Sequence, residues 1–419
     1  MREKSHFLYI VLFVSFLLFL PQAKAEDEVL SLKASVEKAA KSNPEILSAK
    51  RAYEAQAAKI WPAASLNDPV LELEYDKLYA DRQLMGDPMK TYAISQEIPF
   101  PTKLYLRARI ASKLAKAAYQ NYKAKEREVI SKVKSAYSEL FIIYKSTELQ
   151  KENKQVLEQF SSTATTRYSV GKVTQADALK AQVELAKIDN ELIMLEQRRL
   201  TQQAQLNVLR NMDPKVEIGM PSPEGAIKFT RSLEEFYDLA KLNNPELRSY
   251  RHAIEKGEAA YGLSLNEFMP DFMVKFKQMY RKDGFEEDAW MGMVGVSVPI
   301  WFFQKQVFGV KEMKAELEML EAEFRQKENA VLFDIRDSYA RVEANKKLVE
   351  LYETAFIPQA DETVTAALRG YESEKTDFLT LLDSQRMLIE FKLEHYKAIL
   401  NLRIALADLE RSVGIDIEE

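Results

Sequence analysis

Three groups of residues in this 419-residue chain could do chemistry. Met269, Met273, Met279, Met291 and Met293 crowd into one stretch, and their thioethers are soft ligands that would suit a copper path. The same adaptable side chains fill a lipid-facing or intersubunit surface, and packing is the more economical reading. Glu286, Glu287 and Asp288 stand beside Gly284 in a polar stretch that reads as a hairpin tip, where solvation accounts for them. The third group is nearly empty. Cysteine is absent, and beyond residue 25 the histidines are His252 and His395, so neither a metal cluster nor a Cys–His pair can be assembled. Neither catalysis nor a cofactor nor a metal centre finds support.

The elements that carry these residues are of two kinds. In "TYAISQEIPFPTKLYL", from Thr91 to Leu106, Tyr92, Ile94, Gln96 and Ile98 alternate with Thr91, Ala93, Ser95 and Glu97, which is strand spacing. Pro99 and Pro101 end the strand, and from Lys103 the chain runs on without proline for more than a helix's ordinary length. A short strand thus opens into a very long helix.

Composition agrees with long regular elements. The chain is 47% hydrophobic and 29% charged, with only 12 glycines and 14 prolines. Its net charge of −5 argues against nucleic acid, and the basic run through Lys113, Lys116, Lys123, Lys125, Lys132 and Lys134 is broken by Glu126 and Glu128 into a solvated helix face. At the N-terminus, Arg2 and Lys4 precede the apolar run Phe7 to Leu20, and "AKA" at 23–25 follows Pro21. This predicts a secretory signal over 1–25, the apolar run being too short to span a bilayer. An exported chain without cysteine must be held by packing and assembly.

The sequence reads as one unit written twice. "SLKASVEKAAKSNPEI" from Ser31 resembles "SLEEFYDLAKLNNPEL" from Ser232, and "RYSVGKVTQADALKAQ" from Arg167 resembles "GYESEKTDFLTLLDSQ" from Gly370. The first unit, 26–211, is expected to hold a helix ending near Trp61-Pro62, strands over 69–79 and 91–99, a long helix over 103–168 and a returning helix over 174–210. A linker over 212–230 leads to the second unit, 231–419. There the expected elements are a helix to Met269-Pro270, strands over 271–280 and 290–299, a long helix over 305–370 bent by Pro358, and a returning helix over 376–412. Val129, Val133, Ala136, Leu140, Ile143 and Thr147 recur as a coiled-coil-like seam.

Alternating strands about ten residues long match the wall of an outer-membrane barrel. Four cannot close, and lipid tolerates no open edge, so copies must pool strands, twelve for three chains. The expected fold is mostly helical with a transmembrane β part, a helical barrel continuing a trimeric twelve-stranded one. Pro99 and Pro299 mark the junction.

In its twofold repeat, strand pair per repeat and "YSVGKVT" turn, the chain over 31–412 resembles the TolC-type outer-membrane efflux proteins. "NPEI" and "SQEIPFPTK" look most like the heavy-metal branch. The resemblance implies a passive homotrimeric duct in outer-membrane lipid. It would dock a periplasmic adaptor and an inner-membrane pump of the RND type, and close at its periplasmic helix tips. By position in the motif, Asp177 and Tyr371 match a gate contact, Asp383 matches an acidic-ring position, and Thr380 stands where a second ring aspartate is expected. Gly171 is expected to supply a left-handed turn residue. Glu374 replaces it in the second unit, so that turn is expected to differ. Many relatives carry a lipidated N-terminal cysteine, which this chain lacks. The rival reading is a soluble periplasmic coiled-coil adaptor or scaffold.

Overall fold

Proline decides where the helices of this protein begin. In the computed structural model, which describes residues 30–76, 89–171, 174–223, 225, 230–280 and 289–417, Pro44, Pro101 and Pro245 each open a helix. The N–H that proline lacks is one the first turn leaves unpaired in any case. The expected single helix up to Trp61-Pro62 is instead three: α1 (Leu32–Ser42), α2 (Pro44–Ala58) and α3 (Ile60–Ala64). The residue before proline is driven out of the helical region, and Asn43 is extended at φ −64°, ψ 127°. Its Oδ1 caps α2, accepting from the N–H of Glu45 at 2.8 Å and of Ile46 at 3.3 Å.

Asn244 does the same in the second half, separating α6 (Leu233–Asn243) from α7 (Pro245–Asn266) and accepting from the N–H of Leu247 at 3.0 Å. Both asparagines are buried and use the other end of the amide for a long-range bond. Asn43 Nδ2 donates to the carbonyl of Leu209 at 2.9 Å, and Asn244 Nδ2 to that of Ser412 at 2.7 Å. The Asn-Pro-Glu motif is therefore a cap and a clasp in one side chain.

Between these helices lie two strand pairs, β1 (Val70–Asp76) with β2 (Met89–Ile98), and β3 (Asp271–Tyr280) with β4 (Ala289–Ser297). They form one antiparallel sheet in the order β1-β2-β3-β4, so β1 and β4 are its edges. β3 has the expected bounds. β1 is shorter than the expected 69–79, residues 77–79 lying outside those described, and β4 stops two residues before Pro299 because β3, its partner, begins at Asp271 opposite Ser297.

Register sorts the side chains onto two faces. Leu71, Ile94, Phe276 and Gly292 form one row and Leu73, Tyr92, Gln278 and Trp290 the next, an apolar face. Glu72, Ala93, Lys277 and Met291 fall on the other, as do Lys275 and Met293, and Lys275 pairs with Glu72 at 2.5 Å. Met273, Met279, Met291 and Met293 thus share the charged face. They do not lie on the apolar one, because in these strands they keep the same parity as Lys275 and Lys277. Both faces of β1 are exposed.

The strands hand over to long helices. α4 (Pro101–Ser169) has 69 residues and reaches about 100 Å at ~1.5 Å per residue. Its start is tied down by Lys103, only 2% exposed, whose Nζ donates to both oxygens of Asp271 at 2.9 and 3.0 Å and to the carbonyl of Met269 at 3.0 Å. The seam residues Val129, Val133, Ala136, Leu140 and Ile143 are buried, whereas Thr147 is half-exposed and bonds back to its own Ile143 carbonyl at 2.8 Å. α5 (Gln175–Leu209) returns beside α4.

The second long helix is not continuous. α8 (Gln306–Leu351) gives way to a π-turn, Tyr352–Phe356, before α9 (Ile357–Glu372), and α10 (Phe378–Val413) returns. Pro358 would collide with the carbonyl four residues back, and the wider turn, in which the Ile357 N–H reaches the Tyr352 carbonyl, makes room for it. Among the described residues no helix is long and apolar enough to cross a membrane.

Candidate functional site at the helix tips

At the end of the molecule opposite the sheet, two turns reverse the long helices. In the first, the Gly171 N–H reaches the Tyr168 carbonyl at 3.0 Å and Gly171 sits at φ 70°. In the second, the Glu374 N–H reaches the Tyr371 carbonyl at 3.3 Å, and Glu374 takes φ 60°. Glycine and glutamate thus take the same left-handed place in the two turns, residues 172–173 of the first lying outside those described. Glutamate accepts the left-handed conformation because the N–H groups of Lys375 and Thr376 both close onto the Gly370 carbonyl, at 2.8 and 3.2 Å.

Each returning helix then starts with a short polar side chain. Thr174 caps α5: its N–H and Oγ1 donate to Asp177 Oδ2 at 3.2 and 2.9 Å. Asp377 caps α10, accepting from Thr380 N–H at 2.9 Å and Thr380 Oγ1 at 2.5 Å. The Thr380 hydroxyl and amide hold the Asp377 carboxyl below its ordinary range. Asp177 and Thr380 are thus both tied into helix starts, where a carboxylate also suits the helix dipole.

Tyr371 is the hub between the tips. It is 4% exposed, its ring 5.8 Å from that of Phe378 and 4.4 Å beneath the Arg167 guanidinium. Arg167 Nη1 also donates to the Tyr371 carbonyl at 2.9 Å, so α4 grips the end of α9 through ring and backbone together. The Tyr371 hydroxyl is buried without a hydrogen-bond partner among the described residues. Burial pushes its pKa up, and the nearby charge of Asp177 adds to this against the opposing pull of Arg167. Asp177 thus bears on Tyr371 through its charge, and among the described residues no hydrogen bond joins the two.

Asp383 lies one turn into α10, exposed, and pairs with Arg386 at 3.0 Å. Arg386 does more: its Nε donates to Glu184 Oε2 at 2.9 Å and its Nη2 to Glu184 Oε1, bridging the two returning helices in a fork. Lys187 holds the same Glu184 at 2.7 Å. The bond from Arg386 drives the Glu184 carboxyl below its usual range, and Glu184 in turn raises Arg386.

Sequence reasoning singled out Asp177, Tyr371, Asp383, Thr380 and Gly171, and all five lie at the tips. It missed Arg167, Glu184 and Arg386. Arg167 adjoins the recognised turn, and Arg386 stands three residues beyond Asp383, so helical spacing hinted at both. The partner Glu184 is 202 residues from Arg386 and had no local signal.

The other residues weighed for chemistry stay apart. His252 pairs with Glu255 at 2.7 Å and His395 with Glu353 at 3.1 Å, while Glu286, Glu287 and Asp288 lie outside the described residues. Pro99 and Pro299 follow the ends of β2 and β4, at the junction with the helices.

Comparison with known proteins bears on the whole chain. The family described as outer membrane efflux protein matches twice, over 35–211 and 236–415. The cobalt-zinc-cadmium resistance protein CzcC of Cupriavidus metallidurans is 19% identical over 386 residues, 92% of this chain and 90% of that protein. Among solved structures, the outer-membrane channel OprN superposes with a TM-score of 0.80 at 16% identity, covering 93% of this chain and 91% of its own. CusC gives 0.81 at 12% identity, with 92% of each chain covered. VceC of Vibrio cholerae gives 0.79 at 16% identity, covering 92% of this chain and 97% of its own. A soluble periplasmic adaptor or scaffold, the rival expectation, has no support among these likenesses.

Proposed function

The chain belongs to the outer membrane efflux protein family, an efflux channel of the bacterial outer membrane with its helices in the periplasm, and on that premise we propose that it works as a homotrimeric duct. The carrying observation is the sheet, which is open at β1 and β4, has both faces of β1 exposed and is apolar on one face. Lipid tolerates no open edge, so neighbouring copies supply the missing strands, and three chains make a closed barrel of twelve. The row through Leu71, Ile94 and Phe276 faces lipid, and the face of Lys275, Lys277 and Glu72 lines the pore. The helices continue the wall for about 100 Å as a second barrel built from a duplicated unit.

The duct is passive. Energy comes from an inner-membrane pump of the RND type, coupled through a periplasmic adaptor. The cargo is divalent metal cations, a reading supported by the likeness to a cobalt-zinc-cadmium resistance protein. Closure is at the tips, where Arg167 grips Tyr371 beside Asp177, and Asp383 of each copy faces the constriction. Because Arg386 neutralises Asp383 and Thr380 carries no charge, the aperture is less selective for cations than a ring of free carboxylates would be.

The test is assembly and transport together. The expected result is a heat-modifiable trimer in the outer-membrane fraction whose deletion lowers tolerance to cobalt, zinc or cadmium. A soluble periplasmic monomer would overturn the channel, and unchanged metal tolerance would overturn the cargo.

A further inference from the structure

A buried ion pair ties the first unit to the second where the sheet meets the helices. Lys103, at the start of α4, reaches Asp271, at the start of β3. Each partner has a counterpart in the other unit. Lys305 stands directly before α8 and Asp68 two residues before β1, and both are exposed. Among the described residues neither of these two has an ion pair.

We infer that the lock is repeated between copies: Lys305 of one chain pairs with Asp68 of the next, where β4 of the first adds to β1 of the second in one fixed register. The inference rests on the trimer proposed above.

The register follows from the duplicated unit. Pro99 and Pro299 each follow a second strand, and superposing them sets Ser95 on Gly295 and Glu97 on Ser297. Val70 lies opposite Ser95 and Met273 opposite Gly295, so Val70 superposes on Met273, and Asp68 falls on Asp271. Within the chain Glu97 lies opposite Met273. The same joint between copies puts Ser297 opposite Val70 of the neighbour, then Val296 opposite Leu71, Val294 opposite Leu73 and Met293 opposite Glu74.

Three observations support this seam. Both strands are edges, and on their apolar face Leu71 is 78% exposed and Val294 73%. The deduced register keeps the faces together, apolar against apolar, although nothing in its derivation used side-chain polarity. A slip of one residue would instead set Val296 against Glu72 and Val294 against Glu74. Finally, the turn after Pro299 is two residues longer than that after Pro99, yet it folds up locally. The N–H groups of Gln304 and Lys305 both reach the Trp301 carbonyl, at 3.1 and 3.0 Å, so Lys305 keeps its place at the foot of the helix. Lys103 is buried because its partner belongs to the same chain, and Lys305 is bare because its partner belongs to another. In-chain and between-chain joints then alternate around the ring, a head-to-tail contact that closes on itself.

The chain has no cysteine, so introduced pairs report contact directly. Full-length M293C/E74C in outer-membrane vesicles, oxidised with copper–phenanthroline, is expected to run as a covalent trimer after boiling without reductant, because directly opposed strand residues lie within disulfide reach. M293C/E72C and M293C/D76C, each two residues out of register, should cross-link about tenfold less. If a slipped pair links as well, or no pair links in an intact trimer, the register is overturned and the duct stands. If the wild type forms no trimer, the duct itself fails. K305D and D68K are each expected to lower the temperature at which the unboiled trimer dissociates by about 3 °C, and K305D/D68K to restore it. Unchanged single variants, or a double variant no better than either, would overturn the lock.

Discussion

Lys103 and Asp271 are 168 residues apart in sequence and 2.9 Å apart in space, joining the first turn of α4 to the first residue of β3. The Phe100 N–H donates to the same carboxylate at 2.9 Å. The lysine is buried, and the aspartate is more open. Removing the partners should therefore be unequal. D271A leaves the buried ammonium to the Met269 carbonyl and to Glu267 at 3.6 Å and is expected to cost about 2–4 kcal/mol, whereas K103M, which leaves a carboxylate that water can reach, costs about 1–2 kcal/mol. Denaturation of the two variants tests the ranking, and equal losses would refute it.

The clasps at Asn43 and Asn244 predict a second series. N43A removes a helix cap and the donor to the buried Leu209 carbonyl, an expected loss of about 2–3 kcal/mol, and N244A the same. Aspartate at either position restores the cap and not the donor, so it should recover only part of the loss. The two sites share no partner, so their effects should add within ~0.5 kcal/mol.

At the tips, Glu374 in the left-handed region is a strained residue, and E374G is expected to gain about 1 kcal/mol. G370A should do the opposite, because a methyl at Gly370 would stand 2.7 Å from Thr376 Oγ1, which is itself bonded to the Ala367 carbonyl at 3.1 Å. Local proteolysis at the second turn reads both effects.

The Arg386–Glu184 fork predicts an acid dependence. The Glu184 carboxyl is held below its ordinary 4.5, so the pair contributes fully above that value. Its contribution fades as pH falls below 4.5 and through the depressed value. Single-channel recordings should show easier opening of the wild type under that acidic condition. E184Q should open more easily at neutral pH and lose the acid response.

R167A is expected to release Tyr371 on both sides, ring and carbonyl, and to raise the open fraction at neutral pH about tenfold or more, since a stacked, hydrogen-bonded guanidinium is worth roughly 1–2 kcal/mol. R167K keeps the charge without the planar fork and should rescue only partly. An unchanged open fraction in R167A would remove the contact from the gate.

What could be read from sequence followed from period and punctuation. Alternation at 271–280 gives β3 its bounds, because side chains in a two-faced strand must alternate. Asn-Pro-Glu was legible only as a repeated motif, and the expected first helix runs straight through it, since the helical pattern on either side masks proline's effect on Asn43. Other features needed the third dimension. Parity within β3 puts Met273 and Met279 with Lys275 and Lys277, but only the register of β3 with β4 adds Met291 and Met293 to that face. The π-turn before Pro358 is a choice between two ways of avoiding one clash, and sequence predicts the clash alone. Arg386 chooses Glu184 across the helix pair, which no spacing encodes.

The two clasps have a mechanical consequence. Asn43 and Asn244 pin the ends of α5 and α10 far from the tips, and from there to its tip α5 extends about 50 Å at ~1.5 Å per residue. Such an arm is a lever with its fulcrum at a buried amide. A tilt of about 5° at that fulcrum sweeps the far end through about 4 Å, enough to part the Arg386–Glu184 fork that joins α5 to α10. In the proposed duct, opening the lower mouth would thus require no change in the lipid-embedded wall, only a small rotation about a pivot that stays put.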